Sequence, residues 1–164
     1  MLKFIHEIAL EAGRLSVDGF LEMGDTDVHF KGDRDLVTIV DKRVEEYLRG
    51  KISRKFPEHS IFGEEHGFEE HGGEYCWVID PIDGTTSFVH GQPYFSNSIA
   101  LQKNGKTVFG VVNVPRLGEL YSAEAGKGAM LNGRTIRVSQ RDNLMSSLLA
   151  TGFACIRDGR EDNN

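Results

Sequence analysis

The sequence has only two cysteines, Cys76 and Cys155. They cannot make a disulfide framework, and each lies in an apolar, strand-like setting that suits a buried, inert thiol. There is no His/Cys set at ligand spacing, which argues against structural zinc. No apolar run is long enough to span a bilayer, and the opening Met1-Leu2-Lys3-Phe4-Ile5-His6-Glu7 is too interrupted for a secretory h-region. These absences make a cytoplasmic protein without a membrane partner the expectation. Positive charge is also short: 19 Lys and Arg stand against 25 Asp and Glu, a formal net charge of -6. A chain so charged is not expected to bind nucleic acid or anionic lipid nonspecifically, and a phosphate-bearing ligand would need a metal or a local cluster of donors. Repeats, low-complexity tracts and linkers are missing too, so residues 1–164 read as one domain, long enough to bury roughly 70% of its unfolded surface.

What is present alternates between two periods. Ile5, Ile8, Ala9, Ala12, Leu15 and Phe20 share one helical face, predicting a helix over 2–21. A polar loop over 24–35 holds a short strand at 28–30, and the apolar run 36–40 ends on Asp41. Val44, Tyr47, Leu48, Ile52 and Phe56 then form a second helical face that Pro57 stops. Residues 60–62 predict a short strand ending on Gly63-Glu64-Glu65, and 66–73 a polar, glycine-rich loop. That loop's histidines suit either a metal or a solvated surface. Strands follow over 95–102 and 106–114, joined at Asn104-Gly105, and over 119–123, 128–131, 135–138 and 147–151, with a second Asn-Gly at 132–133. Successive hairpins imply an α+β fold in which two helices pack on an antiparallel sheet.

The chemistry gathers where apolar segments stop on acids. Trp77-Val78-Ile79 runs into Asp80-Pro81-Ile82-Asp83-Gly84-Thr85-Thr86, a strand-to-helix corner that aims Asp80, Asp83 and the Ile82 carbonyl into one small volume. If the ends at Asp41, at Glu64 and Glu65, and at Asp80 and Asp83 converge, their repulsion must be relieved by protonation or by cations. Oxygen ligands of this kind suit Mg²⁺, Mn²⁺ or Ca²⁺. Asp80 could bridge two metals about 3.5 to 4 Å apart, the arrangement that clamps a phosphate ester for attack by water. Gly84 and Thr85 would offer backbone N–H groups to phosphate at a helix start, and Thr85 could pass a proton toward Asp41. Helix capping explains Asp41, Asp83 or Thr85 taken singly, but it explains neither Asp80 nor the acids of the other segments.

Asp35-Leu36-Val37-Thr38-x-x-Asp41, Gly63-Glu64-Glu65 and Trp77-Val78-Ile79-Asp80-Pro81-Ile82-Asp83-Gly84-Thr85-Thr86-x-Phe88-Val89-His90-Gly91 together resemble the signature of the inositol monophosphatase family. The resemblance continues through Pro93, Ser98-Ile99-Ala100, Glu119-Leu120-Tyr121 and Gly126-x-Gly128-Ala129. It implies the N-terminal half of a layered sugar-phosphatase fold and Mg²⁺-dependent, lithium-sensitive hydrolysis of a small phosphomonoester, inositol monophosphate first, by metal-activated water. Histidinol phosphate and fructose bisphosphate are the other substrates it suggests. It further implies that Glu64, Asp80 and the Ile82 carbonyl hold one Mg²⁺, that Asp80 and Asp83 hold a second, and that a third near Glu64 carries the attacking water. Thr85 with Asp41 would activate that water, Gly84 and Thr85 would contact phosphate, and Lys31 and Glu65 would lie near the substrate. Members of the family run roughly a hundred residues further, a length typical of a second domain, with a Trp-Asp-x-Ala-Ala-Gly motif that completes the second metal site. The expectation is therefore an N-terminal portion that forms a homodimer or associates with a missing C-terminal half. The alternatives are a catalytically incomplete metal- and phosphate-binding subunit or regulatory fragment, and a Ca²⁺-binding structural domain.

Overall fold

The computed structural model describes residues 1–22, 28–30 and 36–150. Helix α1 spans Leu2–Glu22, strand β1 Val28–Phe30, β2 Leu36–Thr38 and helix α2 Ile39–Lys55. Strands β3 (Ser60–Gly63), β4 (Gly67–Glu69) and β5 (Tyr75–Asp83) follow, then the short helix α3 (Thr85–Val89). Strands β6 (Ser96–Lys103), β7 (Lys106–Val114), β8 (Glu119–Glu124), β9 (Gly128–Leu131) and β10 (Arg134–Ile136) complete the sheet. β1 and β2 form a separate two-stranded ribbon, and the other eight make one sheet in the order β10-β9-β8-β7-β6-β5-β3-β4.

The two long helices lie on one face of that sheet. Ile5, Ile8, Ala9 and Ala12 of α1, and Val44, Leu48 and Ile52 of α2, are buried with Trp77, Ile79, Ile99, Leu101 and Val111 of the strands. Both helical faces are those that the apolar spacing predicts. α2 begins on a capping box: the Thr38 side chain accepts from the Val40 and Asp41 amides, and Asp41 reaches back to the Thr38 amide at 2.9 Å. Both Asn-Gly pairs adopt positive φ at each residue, Asn104 at 49° and Gly105 at 74°, Asn132 at 49° and Gly133 at 77°. That is the twist a two-residue hairpin needs.

Several expectations are corrected. Asp41 does not follow a strand; the run 36–40 divides, with Ile39 and Val40 already helical. The sheet is antiparallel except for β3 and β5, which pair in parallel. The loop over 66–73 contains β4, because Arg49 and the Phe62–Phe68 pair give that polar stretch partners. Regular ladder pairing with β6 is broken at Pro81, between Asp80 and Asp83, but β5 does not stop on Asp80 and continues to Asp83. Residues 147–150 form no strand, and Leu148 and Leu149 are exposed. Lys31, Asp35, Thr151 and Cys155 lie outside the described residues. Cys76 is half-buried, its thiol pushed up by burial.

Candidate metal and phosphate site

Three chain segments meet at one end of the β3–β5 pair. Gly63 is opposite Ile79 in the parallel register, and the Glu64 amide extends the ladder by donating to the Ile79 carbonyl at 3.3 Å. Glu64 and Asp80 therefore leave adjacent strands side by side. α2 delivers Asp41 from beneath them, and the turn after β5 delivers Thr85. The Thr85 hydroxyl lies 3.4 Å from Asp41 Oδ1 and 3.0 Å from the Ile82 carbonyl, and it donates to one at a time.

The electrostatics follow from this crowding. Burial, then the Glu64 charge, a shared hydrogen bond with Glu64, and the charges of Asp83 and Asp41 push the Asp80 carboxyl up to about 8. Asp41 is fully buried. Burial lifts its carboxyl above the ordinary range and the Glu64 charge adds to this, against the hydroxyl and amide of Thr38 that favour the anion. Asp80 Oδ1 is buried and has no hydrogen-bond partner among the described residues. A buried polar atom left so costs free energy unless something else satisfies it.

Among the described residues, no three His, Cys, Asp or Glu side chains stand as a ready ligand set. The acids are a repelling group that shares a proton, not a finished cage. An oxygen-seeking cation nonetheless fits the chemistry of the group. It would satisfy Asp80 Oδ1 and displace the proton that the crowding holds there. Glu64, Asp80, Asp83 and the Ile82 carbonyl are the donors on hand.

Gly84 is fixed by two constraints. Its φ is 92°, and a Cβ there would lie 2.9 Å from the Tyr94 carbonyl oxygen. It caps α3, which is five residues long. Such a helix contributes unpaired N–H groups but little dipole, so the phosphate expectation for Gly84 and Thr85 stands on those amides. Asp83 is exposed and is not the cap; Ser96 Oγ lies 3.5 Å from its Oδ2.

Two buried polar residues behind the site have no counterpart in the sequence reading. Glu45 and Asn97 are fully buried and bond to the backbone on either side of the acids. Their signal was there to find: Glu45 falls on the apolar face of α2 with Asp41, Leu48 and Ile52, and Asn97 alternates inward with Ile99 and Leu101.

The profile of the inositol monophosphatase family matches residues 1–163. A relative from Pseudomonas aeruginosa, named Nus factor SuhB, is 42% identical over 99% of this chain and 61% of its own length. A histidinol-phosphatase from Chlorobaculum parvum is 44% identical over 92% of this chain and 58% of its own. The solved structure of inositol monophosphatase from Anabaena (Nostoc) superposes with a TM-score of 0.84 at 40% identity, covering 99% of this chain and 59% of that one. This chain thus spans about 60% of the length of the relatives it matches.

Proposed function

The chain belongs to the inositol monophosphatase family, and on that premise we propose that it is the metal-binding and phosphate-binding part of an enzyme that hydrolyses a small phosphomonoester, inositol monophosphate first, with Mg²⁺ as cofactor and Mn²⁺ as a substitute. The observation that supports this most is the buried oxygen of Asp80, without a hydrogen-bond partner among the described residues, amid the acids of three segments. A bound divalent cation would supply charge neutralisation at the phosphoryl group and ease deprotonation of water. The chain's own residues do the rest. Glu64, Asp80, Asp83 and the Ile82 carbonyl hold the cations, and the amides at Gly84 and Thr85 orient phosphate. Thr85 orients water and relays a proton: its hydroxyl oxygen takes a proton from the water as its own proton passes to Asp41, 3.4 Å away. Asp41 suits that role because burial and Glu64 raise its proton affinity. Glu65 and Lys31 are proposed to lie near the substrate. The relatives' names span inositol, histidinol and fructose phosphates, so the test compares phosphate release from those three esters, with and without Mg²⁺ and with lithium. The assays use this chain and a version extended to its relatives' length. Activity that survives both Asp80→Asn and Asp83→Asn overturns the proposal.

A second reading, that this chain is catalytically incomplete by itself, is favoured by the sheet face away from the helices. Pairing registers place Phe68, Phe62, Val78, Ala100, Gly110, Ala123, Ala129 and Ile136 in one row across all eight strands. Phe62, Phe68 and Ile136 are exposed. A solvated sheet face is ordinarily polar. On this reading, a polypeptide matching the remaining part of the relatives covers the row, and its small central residues admit close approach. Light scattering after size exclusion, with phosphatase assay of the eluted peak, decides. A strictly monomeric and active 164-residue protein removes this reading.

A further inference from the structure

Glu45 has no exposed side-chain surface and lies on α2, away from where cation or phosphate would sit. Its two oxygens are nonetheless committed to the turn that carries Glu64. Oε2 accepts the Glu65 amide at 2.7 Å; Oε1 accepts the His66 amide at 3.1 Å and stands 3.1 Å from His66 Nδ1. Arg49 donates Nε to Oε1 at 2.8 Å, and its other nitrogens reach the Gly67 carbonyl and Glu69 Oε2, the latter at 3.0 Å. Burial would raise the Glu45 carboxyl, but Arg49 and the two amides outweigh it and hold the group below its ordinary range. The approach depends on residue 63 being glycine, since a Cβ there would lie 2.2 Å from Glu45 Oε1.

We propose that Glu45 is a positioning residue for the metal site: it clamps the Glu65 and His66 amides from behind, while β5 holds the Glu64 amide in front, so that Glu64 leaves the sheet toward Asp80. The proposal rests on the metal-binding reading above. A carboxylate suits the task because the site presents donors from several sides and a carboxylate offers only acceptors. Glutamine has the same shape but one acceptor oxygen, and its amide group would face a backbone N–H. Groups that orient a ligand from behind shift metal affinity by about 10- to 100-fold when removed.

The test measures Mn²⁺ binding to this chain through loss of the free-ion electron paramagnetic resonance signal, at a temperature where circular dichroism shows the variant folded. Wild type is expected to bind saturably and Glu45→Gln at least about tenfold more weakly, with Glu45→Asp recovering part of the loss. Equal affinity in wild type and folded Glu45→Gln overturns the inference. No saturable binding by wild type overturns the metal reading itself, a result distinct from equal binding by two proteins. Should Glu45→Gln fail to fold, Gly63→Ala displaces the carboxylate while keeping its charge, and wild-type affinity there overturns the inference. Should neither fold, amide exchange in metal-free wild type decides: the Glu65 and His66 amides are expected to be protected as strongly as the core, and fast exchange overturns it.

Discussion

Asn97 Nδ2 lies 2.6 Å from the carbonyl oxygen of Pro81, in the middle of the interrupted ladder that separates Asp80 from Asp83. The same amide nitrogen is 2.8 Å from Ser16 Oγ on α1, and Asn113 Nδ2 reaches Asn97 Oδ1 at 3.3 Å and the Ala9 carbonyl at 2.9 Å. The bend that presents the acids is thereby tied to α1.

Asn97→Ala leaves the Pro81 carbonyl buried without its donor. The expected cost is about 1 to 3 kcal/mol, a fall in Tm of about 2 to 4 °C for each kcal/mol in a domain of this size. The increment in Tm from Mg²⁺ is expected to shrink as well. Thermal melts with and without Mg²⁺ check both effects.

Asp80→Asn should stabilise the metal-free protein, because the amide is neutral at every pH whereas the Asp80 carboxyl is neutral only while it keeps a proton, up to about 8, and because it gives the orphan position a donor. The gain is expected on the order of 1 to 3 kcal/mol, the scale of a buried unsatisfied group. Mg²⁺, which should stabilise wild type, should add nothing to this variant. Denaturant titrations in EDTA and in Mg²⁺ provide the comparison; a less stable metal-free variant contradicts the reading.

Acidification should act on the sole tryptophan through His59. Trp77 Nε1 donates to His59 Nδ1 at 3.0 Å, which requires that nitrogen unprotonated, and burial holds the imidazole below its ordinary 6.5. A depressed folded value means the contribution is complete above about 6.5, the ordinary value for free histidine, and is lost as pH falls through the lower folded value. Trp77 emission is expected to change across that window, and His59→Leu to abolish the change.

Gly84→Ala should be destabilised by about 1 to 2 kcal/mol from the positive φ alone, with more from the approach to the Tyr94 carbonyl. Phosphate release per folded molecule should also fall, since the same residue is proposed to offer its amide to phosphate. Equal activity per folded molecule would contradict the phosphate role.

Legibility in the sequence tracked the range of the interaction. The α1 and α2 faces and the hairpins at Asn104-Gly105 and Asn132-Gly133 were readable because periodicity and turn chemistry are local. Asp41, Glu64, Asp80 and Thr85 were readable as candidates because each sits at the end of an apolar run or at a glycine turn. The division of 36–40 was missed because Thr38 and Asp41 form a reciprocal cap three residues apart, which overrides the β-branched run between them. β4 was missed because its support comes from Arg49 and Phe62, distant in sequence. Glu45 and Asn97 show in the sequence only as polar residues on apolar faces; what makes them matter, the Glu65 and His66 amides and the Pro81 carbonyl, lies 16 to 21 residues away and leaves no local pattern.

The parallel pairing of β3 with β5 gives the site a ruler. Gly63 is level with Ile79, so Glu64 and Asp80 depart from neighbouring strands at the same height, with backbones about 4.8 Å apart, the pitch common to all sheets. That interval belongs to the peptide backbone and does not drift when side chains are exchanged. Loops around it are free to be rebuilt for a different alcohol while the gap between the two acids keeps its measure.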